Sequence, residues 1–413
     1  MTPSIRIATR FLLSKKRSMI MSLGGIAFGV GFFIITLAQI SGFEEFFIET
    51  ILGTDGAIRI EDKFQNVQVD SMVEGDSKMV SGSRSNMRYN EGVAFPNDLV
   101  ESISVLPNYA SSSKVLKGTV TIDSVQFQDT GQVHGIEVDD HVDVSQLENQ
   151  IVLGSLENFR QNQMGVLLGK KLAGRLKARV GDSVILKARE QRIRYRVSGI
   201  YETGVSDIDR IRIFMHLSSA RSLFKKASGV SFIQVRLHDR ARALADAAAI
   251  ERLTSHSAAP WMEREKSWLE VFRALKFSGV ITVSTIILIS GLGMYNTLAM
   301  VVMEKTREIA ILRSMGYTRQ DIAHVFFWQG AIVYVLGTIA GFILGASATY
   351  GISTMPLRVR GIFSTDSFVV EWSIQHYAYA AITAAVIVMF SSILPARRAA
   401  YLVPGDVIRG TAS

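Results

Sequence analysis

Residues 19–42 read MIMSLGGIAFGVGFFIITLAQISG and contain no Asp, Glu, Lys or Arg. Three further uncharged apolar stretches follow, at residues 277–303, 325–352 and 377–395. A helix needs about 20 apolar residues to cross a hydrocarbon core about 30 Å thick, and each stretch meets that length closely enough. More than two hundred mostly polar residues separate the first two stretches, whereas the later stretches are close together. The sequence therefore predicts a membrane protein with four spans and one large folded domain outside the bilayer.

The basic residues of the short connecting segments are unevenly distributed. Segments 1–18, 304–323 and 396–413 together carry twelve Lys and Arg residues, whereas segment 353–376 carries two. Lys and Arg in short loops are retained on the cytoplasmic side of a membrane. We therefore expect both termini and segment 304–323 in the cytoplasm, and the large domain on the opposite side. Because these basic residues are explained by topology, the net charge of +8 does not indicate a nucleic-acid partner.

The N-terminal region predicts an uncleaved membrane anchor. The first apolar stretch is longer than the hydrophobic region of a cleaved signal peptide, and no Ala-x-Ala site follows it. Residues 3–17 predict a short amphipathic helix with Ile5, Ala8 and Leu12 on one face. Such a helix either lies in the membrane interface or acts as a simple basic anchor. The chain has no cysteine, which excludes disulfides, thiolate nucleophiles and cysteine-ligated metals.

Two of the predicted spans continue beyond the bilayer as helices. The helical pattern of the first continues to about residue 53, and residues 264–277 are helical in character and run directly into the second. A helix over residues 263–306 would be about 65 Å long at about 1.5 Å per residue. That length exceeds the bilayer by about two to three turns. We therefore expect the two helices to form a stalk that carries the outer domain.

Segment 54–262 predicts a domain of mixed strands and helices. Strands are predicted at residues 58–60, 115–125, 133–138, 166–168, 184–187, 195–200, 211–215 and 231–237. Helices are predicted at residues 96–106, 170–176, 218–225 and 239–254, two of them with clear start signals. Residues 73–92 are polar and contain several Gly, Ser and Asn residues, which indicates a loop.

Glycines recur at four-residue spacing in two of the spans. Gly25 and Gly29 lie in the first span, and Gly337, Gly341 and Gly345 lie in the third. Small residues at this spacing let membrane helices approach each other closely. In a protein with several spans we expect this packing within one subunit, and the pattern is no proof of a dimer.

The sequence contains no complete motif for catalysis or metal binding. Residues 165–171 read GVLLGKK, which lacks the spacing and the hydroxyl of a nucleotide-binding loop, and predict a strand-to-helix turn. Residues 134–141 read HGIEVDDH and lack the His-x-x-x-His register of a helical metal site, so we expect a solvated loop after a strand. Gln39, Asn296 and Gln329 near the spans are explained by interhelical hydrogen bonds. The sequence thus predicts a protein that is not an enzyme.

Residues 303–322 read MEKTREIAILRSMGYTRQDI and predict a short amphipathic helix between the second and third spans. Ile309, Leu312 and Met315 would form its apolar face, and Gly316 is placed to end it. The helix could be an interfacial connector, or a projection that docks in a cleft of a cytoplasmic partner. The residues by themselves fit both interpretations.

The same stretch carries a family resemblance. EIAILRSMG at residues 308–316 resembles the coupling helix of ABC transporter permeases of the MacB/FtsX superfamily. GIAFGV at residues 25–30, SGFE at 41–44 and LPARRA at 394–399 resemble the lipoprotein-releasing system permeases LolC and LolE. The resemblance covers nearly the whole chain, and it is stronger in the membrane part than in the outer domain.

This resemblance implies an α-helical membrane domain of four transmembrane helices, two of them extended as a stalk. An α+β periplasmic domain of the porter or sabre type is inserted between helices 1 and 2. The expected location is the bacterial inner membrane, with both termini cytoplasmic. The expected segments are the N-terminal amphipathic helix (1–18), the first span and stalk (19–53), the periplasmic domain (54–262), the second stalk and span (263–303), the coupling loop (304–323), the third span (324–352), a periplasmic loop (353–376), the fourth span (377–395) and the cytoplasmic tail (396–413).

The resemblance also implies a permease subunit without a nucleotide-binding site, driven by a separate ATPase through mechanotransmission. No cofactor is expected in this chain, because ATP and Mg²⁺ belong to the partner. The implied partners are two cytoplasmic ATPase subunits, a second permease copy or homologue, lipidated protein cargo, a periplasmic carrier and membrane lipids. The residues implied in ATPase coupling are Glu304, Lys305, Arg307, Glu308, Ile309, Leu312, Arg313 and Gly316.

The aromatic residues near the outer leaflet are candidates for the wall of a substrate cavity. They are Phe43, Phe46, Phe47 and Phe272. Acyl chains favour an apolar cavity, because each buried methylene contributes about 0.8 kcal/mol. Packing between the stalk helices explains the same four residues nearly as well.

One departure from the LolC pattern concerns the extended hairpin that hooks the carrier protein. The corresponding turn here, residues 187–193, is short and has no proline. The chain could therefore be a LolE-like partner of a LolC-like chain. It could also be a MacB- or DevC-like exporter that works with a periplasmic adaptor, or an FtsX-like mechanical regulator of an extracytoplasmic enzyme. Lipoprotein extraction is the leading hypothesis.

Overall fold

The computed structural model describes residues 3–14, 16–67, 86–90, 92–124, 127–355 and 368–401. The chain divides into two compact units. Among the described residues, the helical unit comprises residues 3–45, 270–355 and 368–401, and the sheet unit comprises residues 46–269. Most of the predicted 73–92 loop, the middle of the 353–376 loop and the tail beyond residue 401 lie outside the described residues.

The helices are α1 (Pro3–Ser14), α2 (Lys16–Asp55), α3 (Pro96–Ser104), α4 (Val138–Val144), α5 (Leu147–Gln150), α6 (Leu156–Gln161), α7 (Lys170–Leu176), α8 (Ser206–Ile211), α9 (Leu217–Phe224), α10 (Ala243–Thr254), α11 (Trp261–Arg264), α12 (Lys266–Glu304), α13 (Thr306–Ser314), α14 (Arg319–Ser353) and α15 (Ile374–Ala400). The strands are β1 (Ile58–Val67), β2 (Asn86–Asn90), β3 (Tyr109–Asp123), β4 (Gln128–Ile136), β5 (Ile151–Gly154), β6 (Gly165–Gly169), β7 (Ser183–Ala188), β8 (Gln191–Tyr201), β9 (Arg212–His216), β10 (Phe232–Leu237) and β11 (His256–Pro260).

Within the described part of the chain, four helices are long and apolar enough to cross a membrane. They are α2 from Met19 onwards, α12, α14 and α15. A helix satisfies all its interior backbone hydrogen bonds internally, which is why an apolar stretch in lipid takes this form. Four such helices together with a mixed α and β unit confirm the predicted fold class.

The third span packs on the first through its glycines. Gly337, Gly341 and Gly345 of α14 lie against Ile26, Val30 and Ile34 of α2. A Cβ atom added to Gly341 would lie 2.7 Å from Val30 Cβ, closer than real Cβ atoms approach. The four-residue spacing therefore serves packing within this chain, as the sequence predicted. Close backbone approach of this kind is the main source of helix association in lipid.

The first span uses its own glycines against the second. Gly25 of α2 lies against Ser290 of α12, and Gly29 lies against Ile287. Ser290 Oγ donates a hydrogen bond to the Gly25 carbonyl at 3.0 Å. Helix α2 is thus in close contact with both α12 and α14.

The N-terminal helix α1 packs on α14. Ala8 and Phe11 are buried against Val325. The Phe11 ring also lies 6.5 Å from the ring of Phe326. Part of the predicted apolar face therefore contacts protein, an arrangement that neither interpretation of the sequence included.

Among the described residues, the sheet unit contains a mixed sheet in the order β11-β1-β10-β3-β4-β9-β6-β8-β5. β2 pairs with β1, and β7 pairs with β3 and β8. The pairs β4/β9 and β6/β8 are parallel, and the others are antiparallel. β6 lies between β9 and β8 and is buried along its whole length. All eight predicted strands and all four predicted helices are present; α7 has the predicted ends, and the ends of most others are shifted.

Three strands were missed by the sequence prediction, and each owes its form to pairing. β2 lies inside the predicted 73–92 loop and pairs with β1 from Asn86 to Asn90, so the loop prediction is wrong there. β11 reads HSAAP, which has little strand propensity, and it forms by pairing with β1. β5 is short, mostly exposed and lies at the end of the sheet. Strand propensity is weak compared with such context.

The hairpin between β7 and β8 is short. Ala188 pairs with Gln191, so the turn consists of Arg189 and Glu190. Arg189 has a φ of 52°, which lets the chain reverse within two residues. The predicted absence of an extended hairpin at residues 187–193 is confirmed.

Replacing Gly341 with Val should destabilise the helical unit. The new side chain would collide with Val30, and overpacking of this kind costs about 1–3 kcal/mol. We expect a lower melting temperature for the purified protein in detergent.

Gly351→Val is the matched control. Gly351 lies in the same helix, and a Cβ atom there would meet nothing within 4 Å. Its melting temperature should stay near that of the unmodified protein. Equal melting temperatures for the two variants would refute close packing of α14 on α2.

Candidate functional site

The segment between the second and third spans folds as a helix with a defined end. α13 ends at Ser314, and Gly316 has a φ of 99°. Tyr317 N donates to Leu312 O at 3.2 Å, and Gly316 N donates to Arg313 O at 3.2 Å. This pair of hydrogen bonds is the Schellman arrangement, in which glycine adopts the left-handed conformation. The predicted role of Gly316 as the helix stop is confirmed.

A capping box begins the next helix directly afterwards. Thr318 Oγ1 accepts from Asp321 N at 3.2 Å, and Asp321 Oδ2 accepts from Thr318 N at 2.9 Å. These bonds satisfy donors that would otherwise be unpaired at the start of α14. The turn between α13 and α14 is therefore held at both ends.

One side of α13 packs into the helical unit. Ile309 is 1% exposed, and Leu312 packs in the same apolar cluster as Val302 of α12 and Ala399 of α15. Met315, which the sequence placed on the same face, is 72% exposed. The prediction of one apolar face is therefore wrong for Met315. At 3.6 residues per turn, two steps of three residues rotate a side chain by about 120° away from the starting face.

Arg313 is directed towards the end of the fourth span. Its Nη1 donates to the Ala400 carbonyl at 2.7 Å. Ala400 is the last residue of α15, where carbonyl oxygens lack partners within the helix and carry partial negative charge. The guanidinium of Arg319 lies 5.0 Å from the centre of the Tyr401 ring. The segment between α12 and α14 is thus attached to α15 by two arginines.

Lys305 is also engaged within the chain. Its Nζ pairs with Glu308 Oε1 and lies 5.8 Å from the centre of the Phe11 ring of α1. Such contacts leave Lys305 half-buried between α1 and α13. Lys305 therefore contacts both the N-terminal helix α1 and α13.

The opposite side of α13 is exposed. We call it the exposed face, and it consists of Arg307, Glu308, Ile311, Ser314 and Met315. Arg307, Ile311 and Met315 recur every four residues, which places them in one narrow stripe along the helix. Ile311 is 47% exposed although it is a large apolar residue. The four-residue spacing was visible in the sequence, but Ile311 was not among the predicted coupling residues.

The predicted cavity residues have different surroundings. In the helical unit, the Phe43 ring lies 6.0 Å from that of Phe368, and Phe272 is buried. In the sheet unit, Phe47 is buried and its ring lies 5.5 Å from that of Trp268. Packing within the chain, the alternative explanation, accounts for the contact of Phe47 with Trp268. The role of Phe43, Phe46, Phe47 and Phe272 as the wall of a cavity stays a prediction.

The HGIEVDDH segment is not the solvated loop that the sequence predicted. His134 lies in β4 and His141 in α4, and each is 1% exposed. Burial lowers the pKa of both imidazoles, that of His141 to about 3, so both rings are neutral. His141 Nδ1 lies 3.0 Å from Ser113 Oγ. β4 pairs with β3 and β9 inside the sheet, and both histidines pack against Phe214 of β9, a neighbour that local sequence does not reveal.

This segment does not form a metal site either. Across the described residues, the structure contains no group of three or more His, Asp or Glu side chains that could hold a metal ion. Phe214 lies between the two histidines, with its ring 6.0 Å from His134 and 5.3 Å from His141. The two imidazoles are core side chains.

Comparison with known proteins finds matches along most of the chain. The family model described as MacB-like periplasmic core domain matches residues 19–253, and that described as FtsX-like permease C-terminal matches residues 280–404. The lipoprotein-releasing system transmembrane protein LolC of Xylella fastidiosa is 24% identical over 434 residues, 98% of each chain. LolE of Haemophilus influenzae is 22% identical over 93% of this chain and 92% of its own.

Other relatives match a smaller part. The macrolide export ATP-binding/permease protein MacB of Pasteurella multocida is 28% identical over 50% of this chain and 32% of its own. Among solved structures, the periplasmic region of MacB from Actinobacillus actinomycetemcomitans has a TM-score of 0.35 and 15% identity, covering 57% of this chain and 97% of that one. The extracellular domain of the ABC-type transporter YknZ has a TM-score of 0.33 and 13% identity, covering 49% and 98%.

Replacing Arg313 with Met should destabilise the helical unit. The change removes the charged hydrogen bond to the Ala400 carbonyl, and such bonds contribute about 1.5–3 kcal/mol. We expect a lower melting temperature for Arg313→Met. Arg307→Met, in the exposed face of the same helix, is the control and should melt like the unmodified protein. Equal melting of both variants would show that the bond to α15 is not needed.

The buried histidines should make the sheet unit less stable in mild acid. The pKa of His141 is about 6.5 when unfolded and about 3 when folded, so above pH 6.5 both states are neutral. Between pH 6.5 and 3, His141 binds a proton in the unfolded state but not in the folded state. Stability then falls by up to about 1.4 kcal/mol per pH unit for each such group.

The measurement is the melting temperature at pH 7.5 and pH 5.5. His141→Gln should lose less stability than the unmodified protein over this interval, because the group that titrates is gone. His238→Gln, at an exposed position, is the control for loss of an imidazole as such. An unchanged pH dependence in His141→Gln would contradict the assignment.

Proposed function

We propose that this chain, which belongs to the MacB/FtsX family of ABC transporter permeases, releases lipoproteins from the inner membrane. The observation that carries this proposal is the match to LolC over 98% of both chains. The match to a macrolide export protein covers only half of this chain. It therefore supports membership of the family more than it supports macrolide export by this chain. The chain acts as a permease subunit, and ATP and Mg²⁺ are bound by its partner.

The ATPase partner docks on the exposed face of α13. An ABC transporter permease works with an ATPase, and this helix presents a charged and apolar stripe that the described part of the helical unit leaves exposed. Met315 and Ile311 supply apolar contact, and a flexible methionine adapts well to a partner's cleft. Arg307 and Glu308 supply charge. Glu304 and Lys305 flank this face, whereas Ile309, Leu312 and Arg313 support it from behind.

A movement of α13 caused by the ATPase is passed along two long helices. α2 has 40 residues and α12 has 39, so each is about 60 Å long at about 1.5 Å per residue. Each belongs to the helical unit over most of its length and to the sheet unit at one end. A continuous helix transmits a pull without the loss that a flexible linker would allow. Nucleotide-driven closure of two ATPase subunits would thus move the sheet units of two paired permease chains.

The cargo is a lipidated protein in the outer leaflet. Removing acyl chains from lipid exposes methylene groups at a cost of about 0.8 kcal/mol each, which explains the coupling to ATP hydrolysis. Phe43, Phe46, Phe47 and Phe272 are the proposed wall of the receiving cavity. Both termini and α13 lie in the cytoplasm, as the distribution of Lys and Arg indicates.

The acceptor of the cargo is the point where the rival functions differ. The two-residue turn between β7 and β8 leaves no extended hook for a soluble carrier. The partial match to a macrolide export protein keeps an exporter that works with a periplasmic adaptor as the second candidate. An FtsX-like regulator would hydrolyse ATP and move no cargo.

Reconstitution in proteoliposomes tests the proposal directly. The chain is combined with its cognate ATPase, a homologous permease if one is encoded beside it, and a triacylated lipoprotein. We expect ATP-dependent release of the lipoprotein into the soluble fraction, with or without a carrier of the LolA type. ATP hydrolysis without release in both conditions would contradict lipoprotein extraction and favour a mechanical regulator.

Variants of the exposed face test the docking site. Arg307→Glu combined with Met315→Ala should weaken ATPase binding, because loss of contact residues of this kind costs about 1–2 kcal/mol and thus about five- to thirtyfold in affinity. Co-purification and stimulated ATPase activity measure the loss.

Gln320→Ala is the control, since Gln320 is exposed beside the same turn but lies in α14. The double variant should melt like the unmodified protein, because neither side chain is buried. Normal ATPase binding by the double variant would place the docking site elsewhere.

A further inference from the structure

The end of α2 lies in a buried ionic cluster of the sheet unit. Asp55 is the last residue of α2 and is almost fully buried. Its Oδ1 accepts hydrogen bonds from Arg212 Nη1 at 2.8 Å and Gln234 Nε2 at 3.2 Å. Its Oδ2 accepts from Arg212 Nη2 at 3.3 Å and Arg59 Nη2 at 3.2 Å. One carboxylate therefore connects α2 to three strands, β9, β10 and β1.

An acidic residue is an unfavourable choice at this position. The C-terminal end of a helix carries partial negative charge, and burial removes water from the carboxylate. Asp55 is tolerated because arginines surround it. Burial by itself would lower the pKa of Arg212, but the charge and hydrogen bonds of Asp55, with smaller contributions from Tyr201 and Asp209, leave that pKa above its usual value. A buried ion pair of this kind adds little stability over apolar side chains of similar size, so geometry is the better reason for its presence.

The arginines that hold Asp55 are themselves fixed. The Arg59 guanidinium lies 4.4 Å from the centre of the Phe232 ring. The backbone carbonyl of Arg212 accepts a hydrogen bond from Tyr201 Oη at 3.0 Å. A guanidinium that binds both oxygens of a carboxylate fixes the direction of the bond as well as its length. The cluster therefore defines an orientation for the end of α2.

The second long helix begins at the same place. β1 follows α2 and pairs with β11, which leads through α11 into α12. Trp261 N donates to Ala57 O at 2.9 Å, and Arg264 Nη2 donates to Gly56 O at 3.2 Å. Both carbonyls belong to the two residues that follow Asp55. The chain thus enters and leaves the sheet unit on neighbouring strands, beside one ionic cluster.

We infer that Asp55 is a positioning residue whose two-bond pairing with Arg212 fixes the angle between the end of α2 and the sheet. The inference rests on the proposed function, because a stiff joint matters only where a pull along α2 has to move the sheet. A joint that bends would absorb the displacement, so ATP would be hydrolysed with less cargo released.

Spin-label distances test the joint itself. The chain has no cysteine, so Glu49→Cys in α2 and Leu253→Cys in α10 give two unique labels at exposed positions of the sheet unit. Double electron–electron resonance is measured on the full chain in nanodiscs with its ATPase. We expect one narrow distance distribution when Asp55 and Arg212 are present.

The informative variant is Asp55→Leu combined with Arg212→Met. Replacing both members removes the buried pair without leaving either charge alone, and Arg59 keeps Glu61 as a carboxylate partner at 3.4 Å. The protein should therefore melt within a few degrees of the unmodified protein. We expect its distance distribution to widen at least twofold and lipoprotein release per ATP to fall at least fivefold. A narrow distribution and normal release in this stable variant would overturn the inference, since a merely structural pair predicts that result.

Arg212→Lys decides the matter if the double variant fails to fold. Lysine keeps the charge but cannot bind both carboxylate oxygens. The distribution should again widen, and an unchanged width would overturn the inference. Arg160→Lys is the control, because Arg160 pairs with Asp139 on the surface of the same unit. If the unmodified protein hydrolyses ATP without releasing lipoprotein, the proposed function fails, while the distance widths still judge the joint.

Discussion

The close contact of α2 with α12 and α14 is the constraint on which the helical unit depends. Apolar surface gains nothing from leaving lipid for another helix, so association has to come from close packing and short hydrogen bonds. Gly341 supplies that contact towards Val30, and Gly29 supplies it towards Ile287. α2 and α12 also lead into and out of the sheet unit. The glycines therefore hold together the two helices that would carry a displacement.

Helix α13 has one side that packs into the helical unit and one side that is exposed. Ile309 and Leu312 attach α13 to α12 and α15, and Arg313 bonds to the last carbonyl of the fourth span. Arg307 and Met315 are left at the surface. A partner that moves the exposed face would thus move several spans together, because Ile309, Leu312 and Arg313 attach the other side of α13 to α12 and α15. One side of α13 therefore holds the helix in place, and the other side is exposed to a partner.

The polar interior of the sheet unit is organised around charge. Asp55 is paired with Arg212 and Arg59, and two neutral histidines lie near them around Phe214. A buried arginine without a carboxylate would be costly, and so would the carboxylate without the arginine. The carboxylate and the arginine are therefore stable in the interior only when both are present. Its position at the end of a long helix connects the ionic core of one unit to the helices that cross the membrane.

Local sequence was enough to predict the four spans, the long polar insertion, the helix stop at Gly316 and the short hairpin at Arg189, because each depends on composition or backbone conformation. The packing role of Gly341 could also be predicted, since its spacing has a direct meaning in lipid.

Which side of α13 is exposed depends on the folded chain, because Met315 and Ile309 are both apolar and their burial is set by neighbours far along the sequence. The burial of His134 and His141 and the pairing of Asp55 with Arg212, 157 residues away, were decided in the same way. Local pattern cannot reveal such partners, because burial and ionic pairing arise only when distant strands meet.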